Sequence, residues 1–168
     1  MRYLLGALIA AALALVQVSS AQQFYLLGVS PSLVLVFLVC WLVVRGLDDV
    51  LPMVAVTGLL IGMIDLQTPG LVMLALVAAI AAAGFVRELH VVHSETLLVI
   101  ALVLMSSVIY EGVLFLSVLA TGGPFAPVDG LVDTILPAAL VNLVITLPVY
   151  LLMRLARPAS QRNAYTWA

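Results

Sequence analysis

The chain has 168 residues, of which 65% are hydrophobic and only 8% charged, with a formal net charge of −2. A soluble globular domain averages roughly 45–50% apolar and about 25% charged residues, so this sequence has too little polar surface to coat a water-facing core. Its six cations form no basic patch, which argues against nucleic acid as a partner, and its single cysteine, Cys40, excludes a disulfide framework within the chain.

The first apolar segment runs over about residues 3–18, after Arg2, and is followed by Ser19, Ser20 and Ala21. A basic start, an apolar run and small residues at its end also describe a secretory signal peptide. The length of the run, about that of a short membrane span, favours a retained helix. The second segment is expected over about 31–44, with Pro31 in its first turn, where a missing N–H has no intrahelical partner, and with Arg45 and Gly46 at its end. Asp48 and Asp49 ahead of Pro52 read as the capped start of a third helix over about 51–66. That helix carries Gly58 and Gly62 and stops at Asp65 and the turn Thr68-Pro69-Gly70.

A fourth segment, about 71–86, is crowded with small residues: Ala75, Ala78, Ala79, Ala81, Ala82, Ala83 and Gly84. Small residues let helix backbones approach closely where lipid is as apolar as leucine. The polar string RELHVVHSE follows at 87–95, then a fifth helix over about 96–119, the glycine- and proline-rich loop TGGPFAPVDG at 121–130, and a sixth helix over about 134–155. Asp133 is placed to cap that sixth helix, with Asp129 nearby. Crossing about 30 Å takes about 20 helical residues, so the third and fourth segments are expected to need local thinning or interior packing. The tail over 158–168 is polar, with Tyr165 and Trp167 suited to an interface.

The fold class predicted is therefore all-α, a single polytopic membrane domain over 1–157 with six transmembrane helices. There are no lysines, and the cations are Arg2, Arg45, Arg87, Arg154, Arg157 and Arg162. Threaded with the N-terminus inside, all six lie at cytoplasmic ends or loops, as the retention of cationic loops requires. Both termini are then cytoplasmic.

Glu111 is the anomaly of the fifth helix, about 8 residues or ~12 Å from its outer end. Ionisable groups at such depth are costly and face the bundle interior. Asn142 sits at a similar depth in the sixth helix, and Ser107 is one turn from Glu111. Ser107, Glu111 and Asn142 are expected to form an intramembrane polar cluster in which the serine and the amide satisfy the carboxyl. Packing, a proton or ligand site and partner contact are the roles open to it. Gly58 and Gly62 read as helix-packing glycines, and Asp65, at a helix C-terminus the macrodipole makes unfavourable for acids, hints at a role in the following turn. His90 and His93 beside Glu88 and Glu95 are too loosely spaced for a metal site and read as a solvated loop. No Walker string, HExxH or Ser/His/Asp set is recognisable, so no enzyme activity, metal or cofactor is expected. Cys40 reads as a small apolar filler.

Three stretches in order, SPSLVLVFLVCWLVVRG (30–46), GLLIGMIDL (58–66) with its following Pro-Gly turn, and LVNLVITLPVYLLMRLAR (140–157), resemble the MreD family of bacterial rod-shape-determining membrane proteins. The resemblance implies a non-enzymatic scaffold in the bacterial inner membrane. Its partner would be MreC, with MreB, the RodA glycosyltransferase and a penicillin-binding transpeptidase in the same elongation machinery, and membrane lipids around it. The region taken as partner-binding is Gly58, Gly62, Asp65 and Pro69. The family's fold is similar to the substrate-binding S component of energy-coupling-factor vitamin transporters, which supplies the rival: a small-molecule binder. Its polar candidates are Glu111, Asn142, Asp65, Gln67 and the outer loop. A lipid flippase or intramembrane enzyme calls for more intramembrane charge than one glutamate.

Overall fold

The computed structural model describes residues 2–20, 31–64, 69–89, 94–120 and 135–155. These are helical almost throughout, with no strand among the described residues. The helices are α1 (Arg2–Ser20), α2 (Leu33–Arg45), α3 (Leu47–Ile64), α4 (Pro69–Glu88), α5 (Glu95–Ala120) and α6 (Leu136–Leu155). Four of them, α3 to α6, are long and apolar enough to cross a membrane, while α1 offers a shorter apolar stretch, Leu8–Ser19. The chain is thus a helical protein built for a membrane.

The short helix is not where the sequence predicts it. α3 has 18 residues and α4 has 20, so neither needs thinning, whereas α2 has 13 and reaches only ~20 Å at 1.5 Å per residue. α3 is longer because Asp48 and Asp49 lie inside its first turn, where carboxylates suit the positive end of the macrodipole, instead of ahead of it. Pro52 is therefore an internal residue, exposed and near the start, where its missing N–H removes only the bond to the Asp48 carbonyl. α4 likewise begins at Pro69, the first-turn position proline favours, and not after the Pro-Gly turn. Pro31 stands two residues before α2, which takes Ser32 as its N-cap.

α2 is the axis of the bundle. It touches each of the other five helices, which follow one another around it as α1, α3, α4, α5 and α6. Every residue from Val34 to Val43 is buried, so α2 has no lipid-facing side. A helix that is apolar all round is the kind a protein interior takes.

Small residues set the spacing of the shell. α3 and α4 form an antiparallel hairpin in which a Cβ on Gly58 would stand 2.7 Å from Met73 Cα, and one on Gly84 would stand 3.0 Å from Leu47 Cδ1. Gly62, on the same face one turn on, is buried too. α4 turns Val72, Ala75, Leu76, Ala79, Ile80 and Ala83 into the core, and Ser106 Oγ of α5 donates to the Ala79 carbonyl at 3.4 Å. α1 packs by a stripe of its own: Gly6, Ala10 and Ala14 are buried. A Cβ on Gly6 would collide with Met53 of α3 and stand 3.1 Å from Trp41 Cζ2 of α2.

These pairings place the start of α1, the end of α2, the start of α3 and the end of α4 together. α6 runs antiparallel to α5, so its end joins them. Arg2, Arg45, Arg87 and Arg154 therefore mark one end of the bundle, called here the arginine end. There Arg45 lays its guanidinium 4.8 Å above the Trp41 ring, and Trp41 stacks at a tilt on Phe37 with centroids 5.4 Å apart. Trp41 Nε1 is buried and has no acceptor among the described residues; nothing in the structure explains it.

Gly46 makes the break between α2 and α3, with φ 100° and its N–H donated to the Leu42 carbonyl at 2.9 Å. A side chain at positive φ is strained, so Gly46→Ala is expected to lower stability by about 1–2 kcal/mol. Thermal unfolding in detergent measures it, with Gly112→Ala as the reference, since nothing lies within 4 Å of where a Cβ at Gly112 would stand.

Candidate functional site

The first turn of a helix leaves backbone N–H groups without intrahelical partners, and inside a membrane water does not supply the acceptors. α2 starts within the bundle, and two of its orphan donors are met by side chains from two other helices. Ser32 caps α2 without a side-chain bond of its own. Its N–H donates instead to Asn142 Oδ1 of α6 at 2.8 Å, and the Val34 N–H donates to Gln17 Oε1 of α1 at 2.9 Å. Asn142 uses its other end as well, since its Nδ2 donates to Ser107 Oγ of α5 at 3.0 Å. One amide thus joins α2, α5 and α6. Ser107, Asn142 and Thr146 are fully buried, and Thr146 Oγ1 returns to the Asn142 carbonyl at 2.7 Å, which leaves that turn of α6 internally satisfied.

The structure brings Ser107 and Asn142 together but gives the amide a different task from the one expected. Asn142 bonds Ser32 and Ser107, and no bond joins it to the Glu111 carboxyl. Glu111 lies one turn along α5 from Ser107, half-buried, and makes no hydrogen bond or ion pair among the described residues. The Asn142 oxygen is taken by a backbone donor, whose loss of a partner in an apolar interior would be costly, and Ser107 is held in turn by the Asn142 amide nitrogen.

Gly58 is consumed by the α3–α4 hairpin and so packs within this chain, and Gly62 is buried one turn on. Pro69 opens α4, while Asp65 and Gln67 lie outside the described residues, as do His90, His93, Asp129, Asp133, Tyr165 and Trp167. Among the described residues no group of three or more His, Cys, Asp or Glu side chains is arranged to hold a metal ion. Cys40 is a free, buried thiol on α2.

Sequence reasoning missed Gln17 and Ser32. Ser32 was legible, since a serine directly before an apolar run is an N-cap signal. Gln17, the polar residue near the end of α1, had no local cue to its partner. The chemistry of the cluster is cohesive. It offers hydrogen bonds that tie α2 to α1, α5 and α6. No protein-family model matches the chain, and neither does any curated protein or solved structure.

Proposed function

We propose that the chain is an MreD-like, non-enzymatic scaffold of the bacterial inner membrane, with six transmembrane helices, both termini cytoplasmic, and MreC as its direct partner. In this proposal it sets MreC beside the RodA and penicillin-binding synthases, with MreB on the cytoplasmic side, and so takes part in controlling cell shape. The observation that carries it is the use made of the polar residues: the buried amide and hydroxyls of Asn142, Ser107 and Ser32 close on one another and hold helices in place. The resemblance of the stretches at 30–46, 58–66 and 140–157 supplies the family. The gathering of Arg2, Arg45, Arg87 and Arg154 at one end supports cytoplasmic placement of that end.

The vitamin-transporter reading requires a concave pocket with convergent polar groups free to meet a ligand. Of its candidates Glu111, Asn142, Asp65, Gln67 and the outer loop, Asn142 is engaged with Ser32 and Ser107. Co-purification of the full chain with its cognate MreC in mild detergent is the test. A stable complex is expected. Failure of that complex, together with tight binding of a vitamin, overturns the scaffold in favour of the transporter.

A further inference from the structure

α5 has 26 residues and is ~39 Å long, more than the ~30 Å of a bilayer core. Its first half is locked into the bundle by Val99, Leu102, Val103, Ser106, Ser107 and Tyr110. No residue from Glu111 to Ala120 is buried. Val108, Leu116, Val118 and Ala120 are exposed, and Gly112 borders open space. Val113 and Leu114 still pack against the core, while Val108, Gly112 and Leu116 line an apolar face turned away from it.

Glu111 stands at the base of that surface. It is nine residues from Ala120 and sixteen from Glu95, ~13 Å and ~24 Å along the axis. With the Ala120 end at the membrane boundary, the carboxyl is ~13 Å deep. With the Glu95 end at the boundary, it is still ~6 Å inside the opposite face. Either way it lies in hydrocarbon, where an acid without a partner is costly.

Among the described residues no cation pairs with Glu111. The chain has no lysine, and Arg2, Arg45, Arg87 and Arg154 sit at the arginine end, with Arg157 and Arg162 following Arg154 in sequence. A second copy inserted in the same orientation has its cations at the same end. A basic partner for Glu111 is then to be sought in a different protein.

We propose that the Glu111–Ala120 half of α5 is a docking face for the membrane-spanning helix of another protein, one that carries a basic side chain opposite Glu111. This rests on the proposal that the chain works through helix–helix contacts, and it adds which face is used and what chemistry selects the partner. Gly112 lets the incoming backbone approach closely beside the carboxylate, and Val108 and Leu116 give it apolar contact above and below.

The test uses the full chain in lipid vesicles with two synthetic transmembrane helices, one polyleucine and one identical but for a single lysine at the depth of Glu111. Association is read by energy transfer between dyes. The lysine helix is expected to associate about 3- to 30-fold more strongly, the range of intramembrane polar contacts. Glu111→Gln should erase the difference and Glu111→Asp should keep most of it. Gel filtration and melting of each variant confirm that the bundle is folded. Equal association of the two helices overturns the proposal, as does a preference that survives Glu111→Gln. Self-association of the chain that is lost in Glu111→Gln overturns it too, in favour of a second copy. If MreC binds wild type and Glu111→Gln alike, the scaffold stands and this face does not. If MreC fails while the lysine helix is selected, the face stands and the named partner does not.

Discussion

Replacing Asn142 by alanine should cost the protein about 2–3 kcal/mol, more than any other polar substitution in the bundle. The change removes the acceptor at 2.8 Å from the Ser32 N–H and the donor at 3.0 Å from Ser107 Oγ. A net hydrogen bond is worth about 1 kcal/mol, and a buried donor left unpaired costs about 1–3 kcal/mol. Ser107→Ala removes only the second bond and leaves the backbone donor paired, though it strands one side-chain N–H of Asn142, so it should cost about 1–2 kcal/mol. The double variant should lose little beyond Asn142→Ala alone, because the shared bond is counted in both. Unfolding of the three variants in a graded mixture of mild and denaturing detergent gives the comparison. Equal losses for Asn142→Ala and Ser107→Ala would show that the α2 cap is not held by Asn142.

Gly58→Leu is the larger steric insult. A Cβ there would stand 2.7 Å from Met73 Cα and 3.0 Å from Met73 Cβ, so the obstacle begins at the backbone of α4 and no rotamer relieves it. α3 and α4 must separate, and overpacking of this kind costs about 1–3 kcal/mol and sometimes more. The neighbouring contact of Gly84 with Leu47 has more slack, since it meets the far end of a flexible side chain at 3.0 Å. The order of damage expected is Gly58→Leu, then Gly58→Ala, then Gly84→Ala, with Gly112→Ala neutral or slightly stabilising because alanine is the better helix former. Yield of folded monomer and melting temperature in detergent rank the series. A Gly58→Leu variant as stable as wild type would mean that the two helices do not approach at this point.

The helical class and the position of each helix to within a few residues were legible because hydropathy alone reports them. The role of α2 was not. Its run LVLVFLVCWLVVR is apolar on every side, and that pattern is common to a lipid-exposed span and to a helix enclosed by others. Only tertiary packing, with five neighbours around it, separates the two. The glycines at 58 and 62 showed that a close helix approach exists but not whether the second helix is in the same chain; Met73 answers that for Gly58. The polar cluster was half legible. Ser107 and Asn142 could be paired by depth along their helices, but the donor that claims Asn142 is a backbone N–H, a group every residue has and no sequence pattern marks. Glu111 stood out for its chemistry, and the structure adds that the arginines among the described residues are grouped at the end away from it.

The central claim is that the chain acts by binding a partner's membrane helix on one of its exposed faces. Met63, Phe85, Leu116 and Val144 are 70%, 68%, 64% and 72% exposed and sample α3, α4, α5 and α6 in turn. Cys40 is buried on α2 and gives a low background for single-cysteine work. The decisive measurement is disulfide cross-linking in native membranes between a cysteine at each of these positions and cysteines stepped along the transmembrane helix of MreC. The account predicts cross-links from Leu116→Cys that recur every three to four residues along MreC, with the other faces silent or weak. Silence from all four faces, with both proteins present at normal levels, would contradict it.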